Sequence, residues 1–214
     1  RALKAMQVNP DLYHLNEGHA AFLGLERLAN YLKTKELSFD EALELVRATQ
    51  LFTTHTPVPA GHDAFSETLL KNYLSEYTGK LGISWEKLVA FGRIDPEDSN
   101  ELFSMSHLAI RTSQEVNGVS RLHGTVSQKM FNDLYPDYNY SETHVGYVTN
   151  GVHFPTWVAA EWLELYREIY EKNFLDDQTN RKHWSKIQDV PDARIMYIRK
   201  MLKARLLDWV RAQL

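Results

Sequence analysis

Cysteine is absent from the 214-residue sequence, which excludes disulfides, thiolate metal sites and cysteine nucleophiles and suits a reducing cytoplasm. No apolar run approaches the roughly 18 residues that a membrane span requires. Residues 1–6 contain neither an initiator Met nor an apolar signal core. The start therefore reads as a cut through a longer chain. The final helix reads the same way, because no capping glycine or trailing loop follows it. An excess of positive charge is lacking too: the net charge is −4, so no electrostatic footprint favours nucleic acid or an anionic membrane. Also missing are His-Glu-x-x-His, a His-x-His pair, an Asp cluster with Ca²⁺ spacing, a Gly-x-Ser-x-Gly elbow and any Gly-rich phosphate loop. Nine histidines still allow a metal site to be drawn from His14, His19, His55, His62 and Asp63, but nothing in their spacing selects for one.

What is present is ordinary for a globular protein: 43% hydrophobic and 24% charged residues. Eleven Tyr, nine Phe and five Trp supply core volume, and Tyr and Trp can also stack on sugar rings. Leu12-Tyr13-His14-Leu15 reads as an extended piece, with Asn16 capping a helix over 17–33. Ser38-Phe39-Asp40-Glu41 matches a capping box for a helix to about residue 48. Residues 50–55 read as a strand broken by Pro57 and Pro59. Helices follow over 66–76 and 84–91, then a buried strand over 107–112, a turn at Asn117-Gly118, a helix through Met130 and a strand over 144–149. Two amphipathic helices, 159–170 and 192–214, close the chain. The second carries a stripe of Ile195, Ile198, Leu202, Leu206 and Trp209, a spacing expected of core. Residues 173–189 are polar and aperiodic and read as a linker.

Short strands alternating with helices predict an α/β fold around a mostly parallel sheet. In such sheets ligands gather at the carboxyl ends of the strands. Four segments fall at such positions: Asn16-Glu17-Gly18-His19, Thr53-Thr54-His55-Thr56-Pro57, Asn117-Gly118-Val119-Ser120 and Thr149-Asn150-Gly151-Val152-His153. Their Asn, His, Thr and Glu side chains suit a polyhydroxyl ligand. Each also has a plainer reading: Asn117 and Asn150 as turn formers, Glu17 as a helix-start carboxylate, His55 as a loop histidine bonded to backbone. Their recurrence at equivalent places favours a shared site. A freestanding carbohydrate-binding module and a metal-dependent hydrolase stand as alternatives.

At these four places the sequence resembles the glycogen and α-glucan phosphorylase family, in particular its shorter bacterial branch. The strings are His14-Leu15-Asn16-Glu17-Gly18-His19-Ala20-Ala21-Phe22, Phe52-Thr53-Thr54-His55-Thr56-Pro57-Val58-Pro59-Ala60-Gly61, Val116-Asn117-Gly118-Val119-Ser120-Arg121-Leu122-His123-Gly124 and Val148-Thr149-Asn150-Gly151-Val152-His153-Phe154-Pro155-Thr156-Trp157. They occur in the family's order over roughly residues 10–160. The resemblance implies a two-domain (B-type) glycosyltransferase with Rossmann-like halves, cytoplasmic and homo-oligomeric, acting on α-1,4-glucan and phosphate with pyridoxal phosphate as cofactor. Residues 1–172 would be part of the N-terminal glucan-binding half, and 173–214 the linker and helix leading to the other. His55 would bind the glucosyl 6-hydroxyl and present its main-chain carbonyl to developing positive charge. Asn150 would bind the same glucosyl unit, with Glu17 and His19 beside it and Trp157 near the cofactor. Asn117 and His123 would mainly shape the backbone. The longer branch carries Asp and Thr where Glu17 and Gly18 stand. Neither the family's cofactor-lysine segment nor its Arg- and Lys-bearing phosphate segment occurs in this chain, so the chain alone is expected to be inactive.

Overall fold

The computed structural model describes residues 2–170 and 174–214, which gather into two compact units, 1–150 and 151–214. In chain order the first holds α1 (Ala2–Ala5), β1 (Tyr13–Asn16), α2 (Phe22–Thr34), α3 (Phe39–Ala48), β2 (Gln50–Thr53), β3 (Ala64–Phe65) and α4 (Glu67–Leu81). These are followed by α5 (Trp85–Ala90), β4 (Phe103–Ser104), α6 (Met105–Arg111), β5 (Glu115–Gly118), α7 (Arg121–Met130) and β6 (Val145–Tyr147). The second holds α8 (Phe154–Trp157), α9 (Ala160–Ile169), α10 (Arg181–Ser185) and α11 (Asp192–Arg211). Among the described residues, no helix is long and apolar enough to cross a membrane.

In the first unit β1, β2, β5 and β6 form a parallel sheet in the order β1-β2-β5-β6. Parallel neighbours require crossovers, and α2 with α3 and then α7 supply two of them. Register sets the chemistry of each row. Leu15, Phe52, Val116 and Val145 pair across the sheet, and all four are buried to 3% exposure or less. Side chains alternate faces along a strand, so the next row, Asn16, Thr53, Asn117 and Gly146, is not part of that apolar layer. For β1, β2 and β5 it is the last paired row before the loops, and β5 and β6 pair once more at Gly118 and Tyr147. Leu25 and Leu28 of α2, Val46 of α3 and Leu108 of α6 join the same core.

The predicted α/β class and parallel sheet are present, as is the capping box. The Ser38 Oγ accepts from the Glu41 amide at 3.3 Å, and the Glu41 Oε2 accepts from the Ser38 amide at 2.8 Å. Three expectations are corrected. The run 107–112 is helical: α6 starts at Ser104, whose Oγ accepts from the His107 amide, and ends where the Thr112 hydroxyl donates to the Leu108 carbonyl at 2.8 Å. Leu108, Ala109 and Ile110 are buried consecutively, a pattern that an enclosed helix shares with a buried strand. The strand lies a few residues later and takes in Asn117 and Gly118, which were expected in a turn. Finally, Asn16 ends β1 rather than capping a helix; Glu17 caps a short 3-10 turn, Gly18–Ala20, before α2 begins.

A charged knot joins α4, α5 and the following loop. The Glu67 carboxylate accepts from Trp85 Nε1 (2.8 Å), Lys71 Nζ (3.0 Å) and Arg93 Nη2 (2.9 Å). These bonds hold its pKa far below the usual carboxylate range, at about 2. Arg93 is buried. Because the folded-state value is depressed, the stabilisation is present above the unfolded value near 4.5 and is lost as pH falls toward 2. Glu67→Gln is therefore expected to cost about 2 kcal/mol at pH 7, reduced from a fully buried pair because the carboxylate is partly solvated. Denaturant titrations should show the gap between variant and wild type closing between pH 4.5 and 2.

The second unit is helical. Leu165, Val190 and Ile198 form its core, with Trp162, Tyr166, Ile169, Ile187, Ile195 and Leu202 packed around them. Glu161 pairs with Arg205 at 2.6 Å and Glu168 with Arg194 at 2.5 Å, tying α9 to α11. The stripe expected to be core is so only in its first half: Leu206 and Trp209 are 59% and 63% exposed. The expected boundary at 172/173 falls on residues outside the described ones. The segment expected to be a linker is packed from residue 174 onward. Phe174 and His183 are buried, and Phe174 sits among Tyr170, Trp184 and Phe154 at centroid distances of 4.5, 5.1 and 5.4 Å.

Candidate functional site

The four sequence segments follow β1, β2, β5 and β6, so the strand order sets them side by side at the carboxyl edge of one sheet. Hydrogen bonds then link each loop to the next. The Glu17 Oε2 accepts from the His55 amide at 2.7 Å and its Oε1 from the Gly18 amide at 3.1 Å. The Asn117 carbonyl accepts from the Thr54 amide at 3.0 Å. The Gly118 and Val119 carbonyls accept from the Val148 and Asn150 amides at 2.9 and 3.0 Å. Four loops thus share one hydrogen-bonded edge.

Beneath it runs a side-chain relay. The Thr53 Oγ1 donates to the Asn117 Oδ1 at 2.9 Å. Its single proton is then used, so it accepts from His14 Nε2 at 2.7 Å, which fixes that imidazole nitrogen as the protonated one. Asn117 is 8% exposed, and its Nδ2 donates to the Gly118 carbonyl at 3.2 Å. His123 Nδ1 accepts from the Val119 amide at 3.1 Å. These contacts give Asn117 and His123 backbone-shaping roles. His14 was not singled out for this place. The available signal was alternation, which sets His14 and Asn16 on one face of β1.

The residues expected to meet a ligand are outward-facing. His55, His19 and Asn150 are exposed and Glu17 is half-buried. The edge is an open ledge of neutral donors and acceptors with one carboxylate. Glu17 stands at φ 72, ψ 166, a region that a residue with a side chain rarely adopts. Its two amide bonds hold it there. Trp157 lies in the second unit, 77% exposed, beside a cavity of about 410 Å³ lined also by Val152, Phe154, Trp162 and Leu202. A cavity of about 370 Å³ in the first unit lies at the opposite, amino end of β1, against Tyr13, Arg27 and Tyr31. There Arg27 is buried and satisfied by the Val46 carbonyl, Gln50 and Thr49. Among the described residues no three His, Asp or Glu side chains gather into a metal site.

Neither Lys nor Arg occurs in the four loop segments. They offer no amine for the aldehyde of pyridoxal phosphate and no cation for its phosphate. This set of residues fits a sugar and does not by itself fit that cofactor.

The carbohydrate phosphorylase family model matches residues 8–214. The chain is 41% identical over 211 residues to a glycogen phosphorylase of Mycobacterium tuberculosis, covering 96% of this chain and 24% of that protein. It is 33% identical over 214 residues to a maltodextrin phosphorylase of Thermococcus litoralis, covering 100% of this chain and 25% of that protein. It is also 32% identical over 209 residues to a glycogen phosphorylase of Aquifex aeolicus, at 98% and 30%. The chain thus spans 24–30% of the length of these curated relatives. With a family model matching nearly its whole length and its four motif loops hydrogen-bonded along one sheet edge, the chain belongs to the carbohydrate phosphorylase family.

Proposed function

We propose that this chain is part of the glucan-facing half of an α-1,4-glucan phosphorylase. The enzyme moves the terminal glucosyl unit of glycogen or a maltodextrin onto phosphate. The C1–O4 bond breaks, a C1–O bond to phosphate forms, and the departing 4-hydroxyl takes a proton that phosphate gives up. The product is glucose 1-phosphate. The hydrogen-bonded edge joining Glu17, His55, Asn117 and Asn150 carries this reading. The His55 imidazole binds the glucosyl 6-hydroxyl and Asn150 binds the same ring, with Glu17 and His19 beside it. The His55 main-chain carbonyl, on a loop anchored by Glu17, presents a preorganised dipole to positive charge developing at C1. Trp157 is assigned to the cofactor's surroundings rather than to the glucosyl unit.

The parent enzyme in this reading is a cytoplasmic homo-oligomer of two Rossmann-like halves, of the B-type glycosyltransferase architecture. Residues 1–172 form part of the first half, and 173–214 lead toward the second. Pyridoxal phosphate is held there by residues that this chain does not contain. When bound there, it would supply a phosphate group able to exchange a proton with the substrate phosphate.

The test is direct. The full-length gene product, given maltoheptaose and phosphate, is expected to release glucose 1-phosphate, while the 214-residue chain alone releases none. Failure of the full-length product to do so sinks the phosphorylase reading. Turnover by the isolated chain sinks the division of machinery.

A further inference from the structure

We infer that His62, one residue beyond the second motif, is a positioning residue that holds the His55 loop in place. The inference deepens the phosphorylase reading and rests on it. His62 follows the 3-10 turn Pro59–Gly61 and is half-buried. Its Nε2 lies 3.2 Å from the Thr56 carbonyl and its Nδ1 2.7 Å from the Ser106 Oγ. A carbonyl can only accept, so in the neutral ring Nε2 carries the proton and Nδ1 accepts from the Ser106 hydroxyl. The ring also meets Phe131 edge-on, at a centroid distance of 5.6 Å and 85°. Both nitrogens are committed and the plane is held from the side.

Ser106 is 1% exposed and lies in the first turn of α6. A Cβ on Gly18 would lie only 3.0 Å from its Oγ, so the helix that His62 grips also abuts the residue after Glu17. Glu17 in turn holds the His55 amide. A closed circuit of contacts results: His55, Thr56, His62, Ser106, Gly18, Glu17 and back to His55. Within that circuit the His55 loop is tied at both ends, by Glu17 on one side and by His62 on the other. Thr56, whose carbonyl His62 grips, is bonded directly to His55. Pro57 and Pro59 stiffen the segment between them but supply no amide hydrogen bonds of their own. The main chain is anchored on either side of it, by the Thr54 amide on the Asn117 carbonyl and the Met105 amide on the Asp63 carbonyl, and His62 holds the Thr56 carbonyl between them.

In the full-length enzyme, His62→Ala is expected to lower kcat about tenfold with KM for glucan within about twofold, since a dipole facing developing charge acts on the transition state. Ser106→Ala should lower kcat in the same direction. The double variant should be no worse than His62→Ala alone, because the two residues form one interaction. His62→Gln, which keeps an amide donor for the Thr56 carbonyl, should recover part of the rate. Unchanged kcat in His62→Ala, or fully additive losses, overturns the inference.

A second measurement needs no activity. In the 214-residue chain, amide exchange at His55 and Gly18, the two N–H groups held by Glu17, should quicken about tenfold in His62→Ala. Exchange within α9, in the other unit, should stay unchanged. Unaltered exchange at His55 and Gly18 overturns the inference whatever the wild-type enzyme does. Absent glucose 1-phosphate from wild-type enzyme overturns the phosphorylase reading instead.

Discussion

Glu17→Ala in the full-length enzyme is expected to lower kcat/KM for phosphorolysis about 100-fold, the scale seen when one preorganised contact at a reacting centre is lost or displaced by about 1 Å. The reason is local. One carboxylate bridges two loops, accepting from the His55 amide at 2.7 Å and from the Gly18 amide at 3.1 Å. Its own backbone sits at φ 72, which costs on the order of 1–3 kcal/mol for a residue with a side chain. Alanine keeps that strain and removes both bonds that hold the loop against it, so the loop is expected to relax and carry His55 with it. Glu17→Gln retains one acceptor oxygen and is expected to lose only about tenfold. Initial-rate kinetics over a range of glucan concentrations decide the matter. An alanine variant within threefold of wild type means that the Glu17 bridge does not position the reacting group.

Gly118→Ala carries the largest expected effect on stability. A Cβ there would lie 2.8 Å from the Gly124 amide nitrogen, 3.1 Å from its Cα and 3.1 Å from the His123 carbonyl carbon. All three are backbone atoms of α7, so no side-chain rotation relieves the clash. Either the helix moves off the sheet or β5 shifts, and the second is opposed by the bonds that the Gly118 carbonyl accepts from Asn117 Nδ2 and the Val148 amide. Overpacking against backbone of this kind costs about 3 kcal/mol. For a unit of this size that corresponds to a fall of about 6–12 °C in midpoint. Calorimetry of the 214-residue chain checks it, and a shift under about 2 °C means that α7 does not pack closely enough on β5 to exclude a methyl group.

Local features of the fold were legible early because they depend on neighbours in sequence. The Ser38–Glu41 capping box spans three residues and forms as expected. The Gln50–Thr53 strand and the helix to Met130 follow from composition and period. The run His107 to Thr112 reads as a strand from sequence because a helix enclosed on all sides leaves no polar face to set a period, and its apolar residues satisfy either template. The end of α11 departs from its sequence pattern for the complementary reason. Its stripe has helical spacing along the whole length, yet spacing says nothing about whether another element arrives to cover it. Leu206 and Trp209 remain open while Ile198 is buried.

The candidate site divides the same way. The residue types able to meet a sugar, and the resemblance carried by four strings, can be read directly from the chain. The links among them cannot. Glu17 reaches an amide 38 residues away, and Thr53 reaches an Asn 64 residues away. Such pairs exist because parallel pairing puts Asn16, Thr53 and Asn117 in one row, and a shift of one residue would exchange that row with the buried Leu15, Phe52 and Val116. Composition and the four strings suffice for an α/β protein of this family; that Glu17, His55 and Asn150 stand near its chemistry is the proposal made above. That Glu17 serves as the strap on His55, with His62 and Ser106 bracing the other side, depends on strand order and register. Those are settled by which apolar faces bury one another across the whole unit, and no local stretch of residues contains that information.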